Sequence, residues 1–376
     1  MLFLLTVFIF CFFVYPMSLL AVGWESYSIL AKAQPDECFY GVGDAKNIYP
    51  FNPQVDTCGG ELKRNEAYIW GLTEYEGNIF FGTGPNIHCL VLQGYLGQDN
   101  PIITDDYVCE ASASALSDWR PPSAYMYNQN GLSDLSATLP PALRYNTAGL
   151  RSAGAHPAGI VFLAGPALAT EAVNLFAFNG ATGEFLGATS IEEYSNVRKW
   201  WVGSGGNLYV GVGHGEGAEG TGGAVLKWDG MPGEILSAGN TTTLFQFITV
   251  GTGLDGVAAE LAEHNGHLFV TTWPGSGGVA SLWRSRNALP LGEGDADPGN
   301  WQRIWRADQY DPDPVTPYTY GGGALASFDG WLYWGTMHVP GLAALEHIDF
   351  FDTDEITEEL ITGTWRSISI FRARHF

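Results

Sequence analysis

The feature that most constrains this chain is a short pattern that occurs five times along its 376 residues. Each copy begins with Gly and continues with alternating aliphatic and aromatic residues. The copies read GNIFFGTG at 77–84, GIVFLAGP at 159–166, GNLYVGVG at 206–213, GHLFVTTW at 266–273 and GWLYWGTM at 330–337. The alternation has the period of a β-strand, and the leading Gly supplies the turn into it. The pattern therefore predicts the same strand in five successive units.

Other strand-like stretches surround this pattern in a fixed order. The clearer preceding stretches are AYIWGL (67–72), RKWWVG (198–203), AAELAEH (258–264) and GALASFD (323–329). A third stretch follows the pattern, as SAYMYN (123–128), NLFAFN (174–179), AVLKWD (224–229), SLWRSR (281–286) and SIFRAR (369–374). A fourth is represented by GEFLGA (183–188), GEILSA (233–238) and WQRIWR (301–306). Each unit is thus predicted to hold up to four antiparallel strands.

Repeated four-stranded units predict an all-β fold, a β-propeller of about five blades. A β-sandwich also contains many short strands, but it does not predict a returning four-part unit. The propeller is expected over 66–376, with blades at approximately 66–138, 143–190, 194–240, 254–308 and 320–376. Within the last blade, Leu342, Leu345, Ile348 and Phe351 recur at helical spacing, which predicts a small helical insertion over 340–365.

Two local sequences resemble known propeller families. The GxLYxGT strand and the hairpin FNGATGEFL are similar to blades of Kelch-like and quinoprotein-like propellers. Ala177, Asn179, Thr182 and Gly183 resemble part of the tryptophan-docking repeat of quinoprotein propellers. This sequence has Asn179 where that repeat has Asp, and Leu186 where it has Trp. The resemblance covers most of residues 60–376, implies the architecture alone and identifies no functional family.

The fifth unit has no fourth strand-like stretch before Phe376. Two expectations follow. Either a segment around 39–50 supplies the missing strand and closes the ring, or the last blade is incomplete in this sequence.

The amino-acid composition of the chain limits the kinds of partner that it can bind. The chain has 40 acidic and 17 basic residues, a net charge of −23, and 46% hydrophobic residues. The hydrophobic content is enough to bury a large core. Because phosphate binding needs a basic face, the acidic balance argues against a nucleic-acid partner.

Residues 1–33 are predicted to be a signal peptide or an N-terminal anchor. Residues 2–22 carry no charge and are long enough to span a bilayer, and small-x-small sites follow at 21–23 and 31–33. Pro16 disfavours a continuous helix, which favours a cleaved signal. In either case the remainder is expected to be exported (secreted, periplasmic or at the cell surface), with membrane contact only through an uncleaved segment.

Four cysteines remain after this segment, one pair of which lies in the stretch 34–65. An even number in an exported chain predicts disulfides, and the near-neighbour pairing joins Cys38 to Cys58 and Cys89 to Cys109. A metal site is the alternative, although the sequence has no CxxC motif.

Candidate site residues come from one predicted face of the propeller. Loops between second and third strands open on the same face as the starts of the first strands. The ligand-binding candidates at these positions are Glu66, His88, His214, Asp255, Trp273, Tyr320 and His338. Imidazole and carboxylate are common metal ligands, so His214 and His338 are also the candidates for a metal.

Two functional hypotheses follow. The first is an exported binding scaffold whose loop face takes a protein, a glycan or a small molecule, because Trp and Tyr stack on sugars and anchor interfaces. The alternative is a metal-assisted hydrolase or lyase using His214, His338 and Glu66 or Asp255. No catalytic residue and no cofactor are predicted, with Ca²⁺ or a transition metal left open. The acidic stretches 292–300 and 308–318 are the places for Ca²⁺.

Overall fold

The computed structural model describes residues 28–41, 44–87, 119–214, 222–274, 278–311, 314–338, 347–348, 350–352, 357, 362–363 and 366–376. Residues Ala33–Phe376 form one compact unit, which contains every sheet and every apolar cluster described below. His88, Cys89 and Cys109 lie outside the described residues. Within the described residues, no helix is both long and apolar enough to cross a bilayer.

Five antiparallel sheets follow one another along the chain. The strands of blade 1 are β3 (Glu66–Tyr75), β4 (Asn78–Pro85), β5 (Ala124–Asn128) and β6 (Gly131–Asp134). Those of blade 2 are β7 (Ser152–His156), β8 (Ile160–Pro166), β9 (Val173–Asn179) and β10 (Phe185–Ile191). Those of blade 3 are β11 (Asn196–Val202), β12 (Leu208–Gly213), β13 (Gly223–Trp228) and β14 (Phe247–Leu254). Those of blade 4 are β15 (Val257–His264), β16 (His267–Trp273), β17 (Ser281–Ser285) and β18 (Trp301–Arg306). Blade 5 has β19 (Tyr320–Phe328), β20 (Trp331–His338) and β21 (Ile370–Ala373).

The first strands of successive blades pack side by side in chain order, from β3 through β7, β11 and β15 to β19. In each blade the remaining strands follow outward in sequence order. This arrangement of consecutive four-stranded sheets confirms the predicted β-propeller.

Glycine explains the pattern that occurs five times. The leading glycines Gly77, Gly159, Gly206, Gly266 and Gly330 all have φ between 70° and 94°, a region that favours Gly in tight hairpin turns. The later glycines allow neighbouring blades to approach. A Cβ on Gly82 would lie 2.2 Å from Leu150 Cβ, and one on Gly211 would lie 2.4 Å from the Ala258 carbonyl oxygen. The repeat therefore encodes both the turn and the contact between blades.

The apolar core is divided among the interfaces between blades. Phe162 of blade 2 is fully buried and stacks on Trp200 of blade 3, with ring centroids 5.3 Å apart and planes at 1°. Its ring also meets Trp228 edge-on at 5.8 Å. Equivalent clusters lie between blades 1 and 2, 3 and 4, and 4 and 5. The apolar face of each sheet is therefore buried against the neighbouring sheet rather than in one central core.

One strand prediction is wrong. The stretch GEILSA forms a helix, α2 (Pro232–Ala238), and the fourth strand of blade 3 is β14, further along the chain. Pro232 occupies the first helical turn and Gly239 ends the helix in the left-handed conformation, so the local signals are those of a short helix. The other short helices are α1 (Pro141–Tyr145) and α3 (Ala307–Tyr310). Of the predicted insertion at 340–365, residues 347–348, 350–351 and 362–363 are described as helical.

The N-terminal segment forms a small module of its own. Strand β1 (Glu37–Phe39) pairs with β2 (Glu61–Lys63), and Cys38 also pairs with Ile48 across an isolated bridge. The disulfide Cys38–Cys58 is present, which confirms that half of the predicted pairing. Among the described residues, the strand partner of β21 is β20 alone, so the segment around 39–50 does not supply a fourth strand to blade 5.

A buried ion cluster attaches this module to blade 1. The fully buried Glu37 carboxylate accepts two hydrogen bonds from Arg120, each 3.0 Å long, and one from Asn65 Nδ2 at 2.9 Å. Lys63 Nζ lies 3.9 Å from the same carboxylate. A buried carboxylate requires such partners, because its lost hydration must be replaced.

We expect Phe162→Ala to lower the free energy of unfolding by about 3–5 kcal/mol, because it removes a buried ring shared by two blades. Chemical denaturation of residues 33–376 measures this change. Tyr145→Ala, which removes an exposed aromatic ring, is the matched control and is expected to change the free energy of unfolding by about 0.5 kcal/mol or less. A loss below about 1 kcal/mol for Phe162→Ala would contradict the packing described here.

Candidate functional site

The described candidates lie at one edge of the propeller. Glu66 and Tyr320 begin the first strands β3 and β19, and Asp255 lies two residues before the start of β15. Trp273 and His338 end the second strands β16 and β20, and His214 follows β12. Because first and second strands are antiparallel, these positions share one edge of each sheet.

Asp255 is bound within blade 4. Its carboxylate accepts hydrogen bonds from Thr272 Oγ1 (3.1 Å), Ser281 Oγ (2.6 Å) and Trp283 Nε1 (2.9 Å). It also forms an ion pair with Arg303 Nη1 at 2.9 Å. Four donors from β16, β17 and β18 therefore hold this carboxylate, which links the strands of the blade.

The two candidate metal ligands have separate surroundings. The ring of His214 lies 5.6 Å from that of Tyr194 in blade 3. His338 is paired across strands with Tyr320 in blade 5, and burial lowers the pKa of its imidazole. Burial also raises the pKa of the Tyr320 hydroxyl. Among the described residues, no group of three or more His, Cys, Asp or Glu side chains converges in a way that could hold a metal ion.

Glu66 is a candidate whose carboxyl pKa is strongly raised. Its Oε1 accepts a hydrogen bond from Ser123 Oγ at 2.8 Å. Burial raises the pKa of the carboxyl group to about 7, against the opposing effect of the hydrogen bonds from Thr83 and Ser123. The charge of Asp36 in the N-terminal module adds to the shift. We therefore expect Glu66 to change its protonation state near neutral pH.

A cavity lies along the first strands and not at the predicted loops. This space, called the channel cavity below, has a volume of about 490 Å³. It is lined by residues 70–74 of blade 1, 151–155 of blade 2, 198–202 and Leu208 of blade 3, and 259–260 of blade 4. Its volume is within the range of small-molecule sites.

β-Bulges in three of these first strands coincide with the lining. The register against the second strand shifts between Ile69 and Gly71, between Val197 and Trp200, and between Ala258 and Glu260. A bulge inserts an extra residue and redirects its side chain. The consecutive residues Arg198 and Lys199 both line the cavity, as do residues 151–155 at the regular strand β7, because the first strands run along the cavity.

Arginine side chains connect the wall of the cavity from blade to blade. The Arg151 guanidinium lies over the Trp70 ring, 5.2 Å from its centroid, and its Nη1 donates to Asn196 Oδ1 at 3.1 Å. The Arg198 guanidinium lies over the Trp273 ring at 4.2 Å. These contacts fix planar cations against aromatic faces. Trp273, a candidate from the sequence analysis, thus contacts Arg198, which lines the cavity.

The cavity has a net positive charge within an acidic protein. Its lining includes Arg151, Arg198 and Lys199, with Glu74 and Glu260 as the acidic members. Lys199 Nζ forms an ion pair with Glu260 Oε2 at 3.3 Å. Three of the 17 basic residues of the chain therefore meet at one concave surface, where low-dielectric walls focus the local field.

The sequence-based selection did not include these basic residues, because it considered only the ends of strands. A signal was available, since charged residues are only 15% of the chain and RKWW places two cations within a predicted first strand.

We expect Glu66→Gln to change the pH dependence of stability. The folded-state pKa of about 7 exceeds the unfolded value near 4.5, so the folded protein retains a proton that the unfolded chain releases between these pH values. The free energy of unfolding of the wild type should therefore fall as pH rises through this window. Glu66→Gln avoids this loss and should be more stable by about 3 kcal/mol at pH 8 and similar to the wild type near pH 4.

Denaturant titrations from about pH 4 to pH 8 test this expectation, with the exposed Glu184→Gln as the matched control. A difference between Glu66→Gln and the wild type that does not vary with pH would contradict the raised pKa of Glu66.

Comparison with known proteins gives structural similarities only. No protein-family model and no curated protein sequence matches the chain. An exo-β-1,3-galactanase from Phanerochaete chrysosporium, solved with galactose, is similar at 9% identity over 75% of this chain and 59% of that chain, with a TM-score of 0.40. The β-propeller domain of the Trilobed protease from Pyrococcus furiosus is similar at 8% identity over 74% of this chain and 67% of that chain, with a TM-score of 0.36. A GH43_1 enzyme from Xanthomonas citri is similar at 11% identity over 80% of this chain and 86% of that chain, with a TM-score of 0.35.

The chain spans less than two thirds of the length of the galactanase. At these TM-scores, the substrates of these proteins are not carried over to this chain.

Proposed function

We propose that this propeller is an exported binding protein that holds a small anionic molecule in the channel cavity. The observation that carries the proposal is the excess of basic side chains in that cavity, in a chain whose net charge is −23. Because most of the surface repels anions, a concave basic site is the place where an anion gains the most from binding.

The dimensions of the site favour a molecule of sugar-acid size. A cavity of about 490 Å³ can hold a monosaccharide with its hydration shell. Arg151 and Arg198 offer planar donors that suit a carboxylate, and Trp70 holds the Arg151 guanidinium in place. The alternative is that the arginines only connect the blades, and it predicts no affinity for a ligand.

Two observations support export. Residues 2–22 form an uncharged apolar run, and the disulfide Cys38–Cys58 is the kind of bond that persists in oxidising compartments. The metal-assisted hydrolase or lyase considered from the sequence stays a prediction for His214 and His338.

Isothermal titration of residues 33–376 with sugars matched in size tests the proposal. The probes are glucuronate with glucose, and galacturonate with galactose. We expect an acid to bind and its neutral counterpart to bind at least about tenfold more weakly, since a charge-assisted hydrogen bond contributes about 1.5–3 kcal/mol. Affinity for the acid should fall as salt is raised.

Arg198→Gln should weaken binding of the acid by about 10–100-fold, because it removes a charged donor from the cavity. Arg286→Gln, at an exposed position at the end of β17, is the matched control and should leave the affinity unchanged. Thermal unfolding of each variant shows whether the fold is retained. Equal affinity for acid and neutral sugar, or an unchanged affinity in Arg198→Gln, would contradict the proposal.

A further inference from the structure

The series of blades has two end faces. Blades 2, 3 and 4 each have neighbours on both sides, whereas blade 1 packs against blade 2 and blade 5 packs against blade 4. Among the described residues, no apolar cluster joins blade 5 to blade 1. Within the described part of the chain, one sheet face at each end of the series therefore shares no apolar cluster with a further blade.

The end face of blade 1 is apolar, and the side chains at its margin are exposed. Phe80 and Met126 belong to the cluster between blades 1 and 2, so alternation turns the adjacent side chains to the opposite face. A row across this face runs from Leu72 through Phe81 and Tyr125 to Asp134, following the strand register. In the middle of this row Phe81 is 7% exposed and Tyr125 is half-buried, whereas Leu72 is 62% exposed and nearby Ile69 is 61% exposed.

The end face of blade 5 has the same character. Leu332 and Trp334 belong to the cluster between blades 4 and 5, which turns Trp331 and Tyr333 outward. Phe328, opposite Trp331, is 72% exposed, and Ile370 is 76% exposed.

The charges of the two end faces are opposite in sign. The strands of blade 1 contain no Lys or Arg, and its end face presents the exposed acids Glu74 and Asp134. The strands of blade 5 contain no Asp or Glu, and its end face presents Arg372 and Arg374, which lie over the Trp331 ring at 4.4 and 4.3 Å. Each face therefore offers an apolar centre with charges that complement those of the other.

We propose that the end face of blade 5 in one copy of this chain binds the end face of blade 1 in a second copy. The contact repeats the packing between consecutive blades, with Phe328 and Ile370 against Leu72 and Ile69, and Arg372 and Arg374 beside Glu74 and Asp134. Because the two surfaces differ, the association is head-to-tail and leaves a free face at each end, so it extends into a ring or a filament.

Sedimentation velocity of residues 33–376 from about 1 to 200 µM tests the proposal. We expect association that increases with concentration. Two variants isolate the faces. Arg372→Glu with Arg374→Glu makes both end faces acidic, and Glu74→Lys with Asp134→Lys makes both basic. Each double variant alone should associate at least about tenfold more weakly, through like-charge repulsion. An equimolar mixture of the two should regain the wild-type association, because acidic and basic faces then meet.

The exposed substitutions Arg286→Glu and Asp229→Lys, on blades 4 and 3, are the matched charge controls and should leave association unchanged. A wild type that stays monomeric throughout the range overturns the proposal, whether its faces remain exposed or close on each other within one molecule. Association that neither double variant weakens, or that the mixture fails to restore, also overturns it, and assigns the contact to another surface.

Discussion

Face-to-face packing of neighbouring sheets is the interaction on which this structure depends. A four-stranded sheet of this size cannot bury its own apolar side chains, and each sheet here obtains its interior from the next one along the chain. The stack of Phe162 on Trp200, between blades 2 and 3, illustrates the principle. The glycines that follow the repeated strand serve the same interface, since a methyl group at Gly82 or Gly211 would collide with the adjacent blade. Stability is therefore distributed over successive interfaces, in the manner of other repeat proteins.

This arrangement determines where polar groups lie. In the blades that have neighbours on both sides, charged strand side chains such as Lys199, Lys227 and Arg284 are only partly buried. Where a carboxylate is fully or partly buried, donors surround it. Asp255 accepts from three side chains and pairs with Arg303, while Glu37 is held by Arg120, Asn65 and Lys63. These two clusters connect elements that apolar packing alone would leave separate.

The channel cavity differs in composition from the packed faces of the sheets around it. Its wall combines aromatic rings with arginine and lysine, and the guanidinium groups of Arg151 and Arg198 cross from one blade to the next. Because the chain as a whole is acidic, these few cations create a local field of opposite sign. Glu66 lies at the start of the same first strand as Trp70, and burial is the largest cause of the raised pKa of its carboxyl group, with a smaller contribution from the charge of Asp36 in the N-terminal module. Trp70 lines the channel cavity, whereas Glu66 is not among the residues that line it.

Local sequence determined the strands, the turns and the number of repeated units, because these depend on the period of alternation and on the positive φ that Gly77 and its four counterparts adopt. It also determined the pairing of Cys38 with Cys58, which are close along the chain. In 233–238 the apolar residues Ile235 and Leu236 fit either state, but Pro232 and Gly239 at the ends of the stretch favour a helix, a local signal that the strand prediction left out.

Nor did local sequence reveal the channel cavity. Arg151, Arg198 and Lys199 come from two different blades, and they line one cavity because the first strands β7 and β11 pack side by side. The exposed end faces of blades 1 and 5 are likewise a property of the assembled blades. Which surfaces meet, and which stay uncovered, depends on contacts between residues far apart in the chain, and those exist only in the tertiary structure.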